Sequence, residues 1–245
     1  MSTTARVLLL GGTGEARALA ARLHPQVAVI SSLAGRVPDP ALPVGEVRIG
    51  GFGGRDGLAD WLRANAITAV VDATHPFAAT ITANAAYAAD RCGLPHVVLA
   101  RPAWPEGDAL VVASDVEAAA VVARNGYRRV FLTTGRSGTA AFRGTDAWFL
   151  IRAVTAPTAD LLPARHEILL SRGPYLVDGE RELMREYAID ALVTKNSGGD
   201  MTRAKLDAAA ELGVPVIMVS RPALPAGVQI VHSVDAAVDW LGAGA

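Results

Sequence analysis

The sequence predicts an α/β protein of two Rossmann-like parallel-sheet domains that face each other across a cleft. Three observations carry that prediction. Short apolar runs alternate with helical patterns along the whole chain, the order expected when crossover helices join parallel strands. Residues 93–105 and 213–225, 120 positions apart, each read as a helix stop, a buried strand and an Arg-Pro turn. The same offset lays Thr74-His75-Pro76 over Thr194-Lys195-Asn196, one polar loop over another.

Taken in order, the first half offers strands at 6–10, 27–33, 46–49, 69–72 and 96–100, with helices at 14–23, 55–65 and 77–92. Helix 77–92 is rich in alanine, the strongest helix former, and Gly93 then Pro95 stop it. The second half offers strands at 129–133, 147–152, 167–170, 190–194 and 214–220, with helices at 116–125, 177–187, 201–212 and 234–241. These strands are short and apolar, as in sheets covered by helices on both faces. Pro102, Pro105 and the polar stretch 106–108 mark a linker. They divide the chain into domain 1–105 and domain 106–245, and the segment after Pro222 can cross back to either half.

The chain has 245 residues, 51% hydrophobic and 19% charged, with a formal net charge of −1. That is a globular composition with no global pull toward nucleic acid or an anionic membrane. The apolar run at 7–10 is too short for a signal-peptide core, and no run reaches transmembrane length. Cys92 is the single cysteine, which excludes an intrachain disulfide and a thiolate cluster. A cytoplasmic enzyme fits these bounds. The five histidines are scattered, so no metal site is expected, and neither a G-x-S-x-G elbow nor a phosphate-loop GK[ST] occurs.

Strand 6–10 runs straight into Gly11-Gly12-Thr13-Gly14-Glu15-Ala16-Arg17, where a helix starts. Glycines let backbone approach a diphosphate, and the free amides of a helix N-terminus favour its charge. Ala16 stands where the third glycine of a dinucleotide fingerprint would be. Glu15 reads equally as a helix cap or as a ligand of a ribose hydroxyl. The second strand ends in Ser31-Ser32 and is followed by Arg36, where an NAD site usually places an acid. Hydroxyls and a cation there suit a 2′-phosphate, so NADPH is the expected cofactor.

Strand 69–72 exits into Asp72-Ala73-Thr74-His75-Pro76-Phe77-Ala78, at the edge where open parallel sheets bind ligands. His75 suits a phosphate, a carboxylate or proton transfer; capping the next helix is the plain alternative for Thr74 and His75. Three loops of the second half combine hydroxyls, glycine and a cation: 133–138 with Thr134 and Arg136, 171–174 with Arg172, and 194–199 with Lys195, Asn196, Ser197 and Gly198. Such loops hold carboxylates or phosphates through amides and cations. Arg101 and Arg221 read as structural arms of their Arg-Pro turns.

With these residues in view, the chain resembles the precorrin-6A reductase family over essentially its whole length. The resemblance rests on residues 9–16, 72–78, 171–174 and 194–199, of which 72–78 and 194–199 are the specific stretches. It implies NADPH-dependent reduction of a macrocycle double bond, precorrin-6A to precorrin-6B, in cobalamin biosynthesis. It also implies two α/β domains with cofactor and substrate between them. By position, Gly12, Thr13 and Gly14 would hold the cofactor phosphates, Ser31, Ser32 and Arg36 its 2′-phosphate, and Thr74 and His75 would lie near it. Arg136, Arg172, Lys195, Asn196 and Ser197 would meet the carboxylate-rich tetrapyrrole. Hydride transfer from nicotinamide C4 would be completed by a proton from Lys195, His75 or water. Transient contacts with other cobalamin-pathway enzymes would follow. A two-lobed nucleotide-sugar transferase and a non-catalytic anion-binding module are the competing classes, separated from this one by NADPH binding.

Overall fold

A computed structural model describes residues 5–35 and 41–243. The chain divides into two compact units, crossing from the first to the second at Pro102/Ala103 and back at Arg221/Pro222. In chain order the first unit contributes β1 (Arg6–Leu10), α1 (Gly14–Leu23), β2 (Ala28–Leu33), β3 (Glu46–Ile49), α2 (Gly54–Ala64), β4 (Ala69–Asp72), α3 (Ala79–Cys92) and β5 (His96–Leu99). The second unit follows with β6 (Leu110–Val112), α4 (Asp115–Asn125), β7 (Arg129–Leu132), β8 (Trp148–Ala153), β9 (His166–Leu170), α5 (Val177–Glu186), β10 (Ala191–Lys195), α6 (Ala204–Leu212) and β11 (Val216–Val219). The chain then returns to the first unit with β12 (Gln229–Val231) and α7 (Val234–Gly242).

Both sheets are parallel throughout, ordered β12-β5-β4-β1-β2-β3 and β6-β11-β10-β7-β8-β9. Strand order reverses between β1 and β4 in one and between β7 and β10 in the other, the switch points where α/β sheets take ligands. The outermost strands are exchanged. β6 follows β5 in sequence yet pairs with β11, whereas β12 follows β11 and pairs with β5. The repeated Arg-Pro turns are the two places where the chain changes unit.

Several expectations shift. The predicted linker is not free, because Trp104 is buried and belongs to the second unit. The crossing falls before position 103 instead of after 105. Strands β6 and β12 were not predicted; three residues are too few for periodicity to register. Segment 201–212 is split into a 3-10 turn over Asp200–Thr202 and α6. The predicted helix at 77–92 starts two residues later, since Ala78 N–H donates to the His75 carbonyl in a separate turn.

Alternating strand residues feed two apolar layers in the first unit. Val7, Leu9, Val29 and Val71 pack under α1 and α7; Leu8, Leu10, Ile30 and Val70 pack under α2 and α3. In the second unit Phe131, Leu150 and Leu192 meet Met184, Ala208 and Ala209. A charged cluster is buried beside them. Arg152 and Glu180 form a two-pronged ion pair at 2.8 and 2.9 Å, both almost fully buried. Lys205 lies nearby, donating to the Thr202 carbonyl at 2.6 Å and sitting 4.5 Å from the Trp104 ring.

Burial pushes the Lys205 ammonium down to about 7, against the pull of Glu180, with Arg152 adding to the depression. Between about 7 and the ordinary lysine range, the unfolded chain therefore carries a proton that the folded chain has shed. Stability must rise with pH through that window and lose this gain as pH falls through 7. Denaturant melts at pH 6.5 and 9 should show wild type gaining on Lys205→Met, by at most about 1.4 kcal/mol per pH unit. Parallel curves for the two proteins would contradict it.

Candidate functional site

At the switch point of the first sheet, β1 delivers Gly11 and Gly12 to the start of α1. Gly12 has φ +109°, a conformation L side chains rarely adopt, and a Cβ there would meet nothing within 4 Å. Thr13 caps α1: its hydroxyl accepts from Ala16 N–H at 3.1 Å and donates to the Ala73 carbonyl at 2.7 Å. The Thr13 hydroxyl is thus committed, and a phosphate would meet its amide. Capping by Glu15 does not occur. Its carboxylate pairs with Arg101 at 2.9 Å, which ties the turn to the end of β5.

The amides of Gly12, Thr13, Gly14 and Glu15 find no acceptor among the described residues. Gly12 borders a hollow also lined by Arg17 and Ser31. Ser31 Oγ is buried without a hydrogen-bond partner among the described residues. Unsatisfied amides at a helix N-terminus, together with an orphaned hydroxyl, fit a dinucleotide phosphate. Arg17 carries a cation on α1 that had no role assigned from sequence.

Ser31 and Ser32 are neighbours on a strand and face opposite sides of the sheet. Ser31 opens to the glycine hollow; Ser32 Oγ accepts from Arg48 Nη1 at 3.0 Å. Arg36 lies outside the described residues. Arg48, in β3 opposite Ser32, was missed because a single arginine in a short edge strand carries no sequence signal.

At the end of β4, Asp72 is buried, and its Oδ1 accepts from the Thr74 amide at 2.9 Å and the Thr74 hydroxyl at 2.7 Å. Its Oδ2 has no partner among the described residues. His75 is exposed, and Nδ1 accepts from Phe77 N–H at 3.2 Å, which leaves Nε2 to carry the hydrogen of the neutral ring. Beside this loop, Pro76, Thr82, Pro222 and Leu224 help line a cavity of about 310 Å³.

In the second unit, Lys195 ends β10 and reaches back across the switch point. Its Nζ donates to the Thr134 carbonyl at 2.9 Å and stands 3.3 Å from Asp115 Oδ2. Asp115 was not singled out from sequence, since at the start of α4 it reads as a helix-dipole residue. Asp115 Oδ1 and Thr134 Oγ1 are buried without partners among the described residues. Gly138 makes this packing possible, for a Cβ there would lie 2.4 Å from Thr134 Oγ1 and 2.9 Å from Asp115 Oδ1. Loop 133–138 runs into a 3-10 helix over Arg136–Phe142.

Asn196 is a strut. Its amide accepts from Trp104 N–H at 2.9 Å and donates to the Trp104 carbonyl at 3.1 Å, while its own carbonyl accepts from Arg221 Nε at 2.8 Å. Ser197 N–H turns back onto the Lys195 carbonyl at 2.7 Å, and Gly198 follows at φ +66°. Arg136 is half-buried and Arg172 exposed; neither guanidinium has a hydrogen-bond or ion-pair partner among the described residues. The second sheet edge therefore carries cations with hydroxyls beside them, suited to a carboxylate-rich ligand. Among the described residues there is no cluster of metal-ligating side chains, and no helix is long and apolar enough to cross a membrane.

Known proteins resemble this chain along nearly its whole length. The family model described as precorrin-6x reductase CbiJ/CobK matches residues 6–242. The precorrin-6A reductase of Mycobacterium tuberculosis is 66% identical over 236 residues, covering 96% of this chain and 97% of that protein. Its counterpart in Rhodococcus erythropolis is 56% identical over 242 residues, covering 97% of each. A solved structure of CobK precorrin-6A reductase superposes with a TM-score of 0.89 at 37% identity, over 98% of both chains. From the glycine turn of the first sheet to the cationic edge of the second, the chain belongs to the precorrin-6x reductase CbiJ/CobK family.

Proposed function

We propose that this chain reduces a carbon–carbon double bond of precorrin-6A with NADPH, giving precorrin-6B in cobalamin biosynthesis. The observation that carries the cofactor half is the row of four bare amides at the start of α1, set at a switch point beside the buried, unpartnered Ser31 hydroxyl. Bound there, the reduced nicotinamide supplies the hydride.

The chain's own residues do the rest. The amides of Gly12, Thr13 and Gly14 hold the diphosphate. Ser31 joins them from the glycine hollow, Ser32 and Arg36 are assigned to the 2′-phosphate, and Thr74 and His75 flank the cofactor. Thr134, Arg136, Arg172, Lys195, Ser197 and Gly198 take the macrocycle carboxylates, with Asn196 bracing their loop. The hydride adds to one carbon and a proton must be delivered to its neighbour. Lys195 has the stronger case as donor because two contacts fix its ammonium at the end of β10. Positioning within a cationic edge supplies the remaining rate. The same reading places the reaction in the cytoplasm, with the tetrapyrrole handed between pathway enzymes through transient contacts.

Fluorescence titration of the free protein should show saturable binding of NADPH, tighter than of NADH. Oxidation of NADPH should then require added metal-free precorrin-6A. Failure of both nucleotides to bind would overturn the reading and leave the transferase and anion-module classes standing.

A further inference from the structure

We infer that Arg48 is the residue that selects NADPH over NADH, by gripping the 2′-phosphate from the β3 side of the sheet edge. This rests on the proposed dinucleotide site and deepens it. Ser32 and Arg48 are register partners in β2 and β3, so the guanidinium lies beside the strand end that meets the adenosine ribose in this strand order.

The guanidinium is held rigidly. Nη1 donates to Ser32 Oγ at 3.0 Å and to the Gly50 carbonyl at 2.9 Å; Nη2 donates to the Gly51 carbonyl at 2.9 Å. Its plane is backed by aromatic rings, with Cζ 3.9 Å from the Phe52 centroid and 5.4 Å from that of Trp61. All of these partners are neutral. Among the described residues no carboxylate pairs with Arg48, although most other arginines of the first unit have one nearby.

Three of five N–H groups are used, which leaves Nε–H and one Nη2–H for a further acceptor. A cation fixed in place, partly desolvated and lacking a counter-charge is matched by a phosphate dianion that can take both remaining hydrogens. A ribose hydroxyl brings no charge to that position. The two nucleotides should therefore differ most at Arg48, the fixed cation beside Ser32.

The test uses Arg48→Met and Arg48→Gln, the latter retaining an amide donor for the glycine carbonyls. NADPH, NADH, 2′,5′-ADP and 5′-AMP are titrated against the wild type and both variants, with thermal melts as a check on folding. The expected result is a loss of NADPH and 2′,5′-ADP affinity of about ten- to a hundredfold in both variants. NADH and 5′-AMP should hold within about twofold, the scatter below one bidentate contact. Equal loss for all four ligands would make Arg48 a purely structural clamp and overturn the inference, as would unchanged NADPH affinity in a folded variant. Wild type that binds NADPH and NADH equally well also overturns it while leaving the dinucleotide site intact. Wild type that binds neither sinks the site itself.

Discussion

Replacing Gly12 by Val will abolish NADPH binding, weakening it at least about a hundredfold, or ~2.8 kcal/mol. Gly12 sits at φ +109° with no protein atom within 4 Å of the position its Cβ would take. A Cβ there therefore meets no neighbour among the described residues. Its cost to the fold is backbone strain of about 1–3 kcal/mol, which a thermal melt will register. Its cost to the ligand is larger. The side chain fills the space through which a diphosphate must approach the amides of Gly12, Thr13 and Gly14, and the strained residue turns its own amide away. Gly12→Ala separates bulk from strain, since at the same positive φ it carries the backbone strain of any L residue but presents only one methyl to the phosphate. An Ala variant that melts about as far below wild type as Val but keeps more NADPH affinity than Val is the expected result. A folded Val variant that titrates NADPH normally would show that the glycine turn does not hold the cofactor.

Strand β1, the glycines and the start of α1 were legible because local chemistry dictates them: an apolar run, residues free to take positive φ, then a helix. The repeat at 93–105 and 213–225 was legible for the same reason, and it marked both crossings of the chain. What those crossings do was not legible. The exchange of β6 and β12 is decided by which sheet edge lies open to three apolar residues, a tertiary choice with no local signature. Side-chain partners were hidden in the same way. Glu15 and Arg101 are 86 positions apart, and nothing in either neighbourhood announces the pair. Asn196 looked like a ligand because it stands in a polar loop, yet burial commits its amide to the Trp104 backbone. Arg48 and Asp115 were overlooked because each is an ordinary residue in its own element. Only the register of β3 on β2, and the reach of Lys195 toward α4, gives them a role.

Removing the Lys195 ammonium should damage the reaction far more than the cofactor site. Lys195→Ala is expected to lower turnover by about a hundredfold or more, the usual cost of losing a positioned acid. NADPH affinity should stay within about twofold of wild type, because the glycine turn lies in the other unit of the chain. Some stability will be lost as well, since Asp115 has its cation 3.3 Å away and would be left partly buried without it. Asp115→Asn combined with Lys195→Ala should recover that stability without recovering turnover, which separates folding from chemistry. Lys195→Arg then distinguishes the two tasks assigned to this residue. If Lys195 serves only as a counter-charge for a substrate carboxylate, arginine keeps the charge and most of the rate. If it delivers the proton, arginine fails, because a guanidinium does not release its proton in the working pH range. Failure of the Arg variant with an unchanged KM for the tetrapyrrole is the expected outcome. Turnover and NADPH affinity falling together in Lys195→Ala would remove the residue from the chemistry, because a proton donor acts on the acceptor carbon's neighbour and has no part in holding the nucleotide.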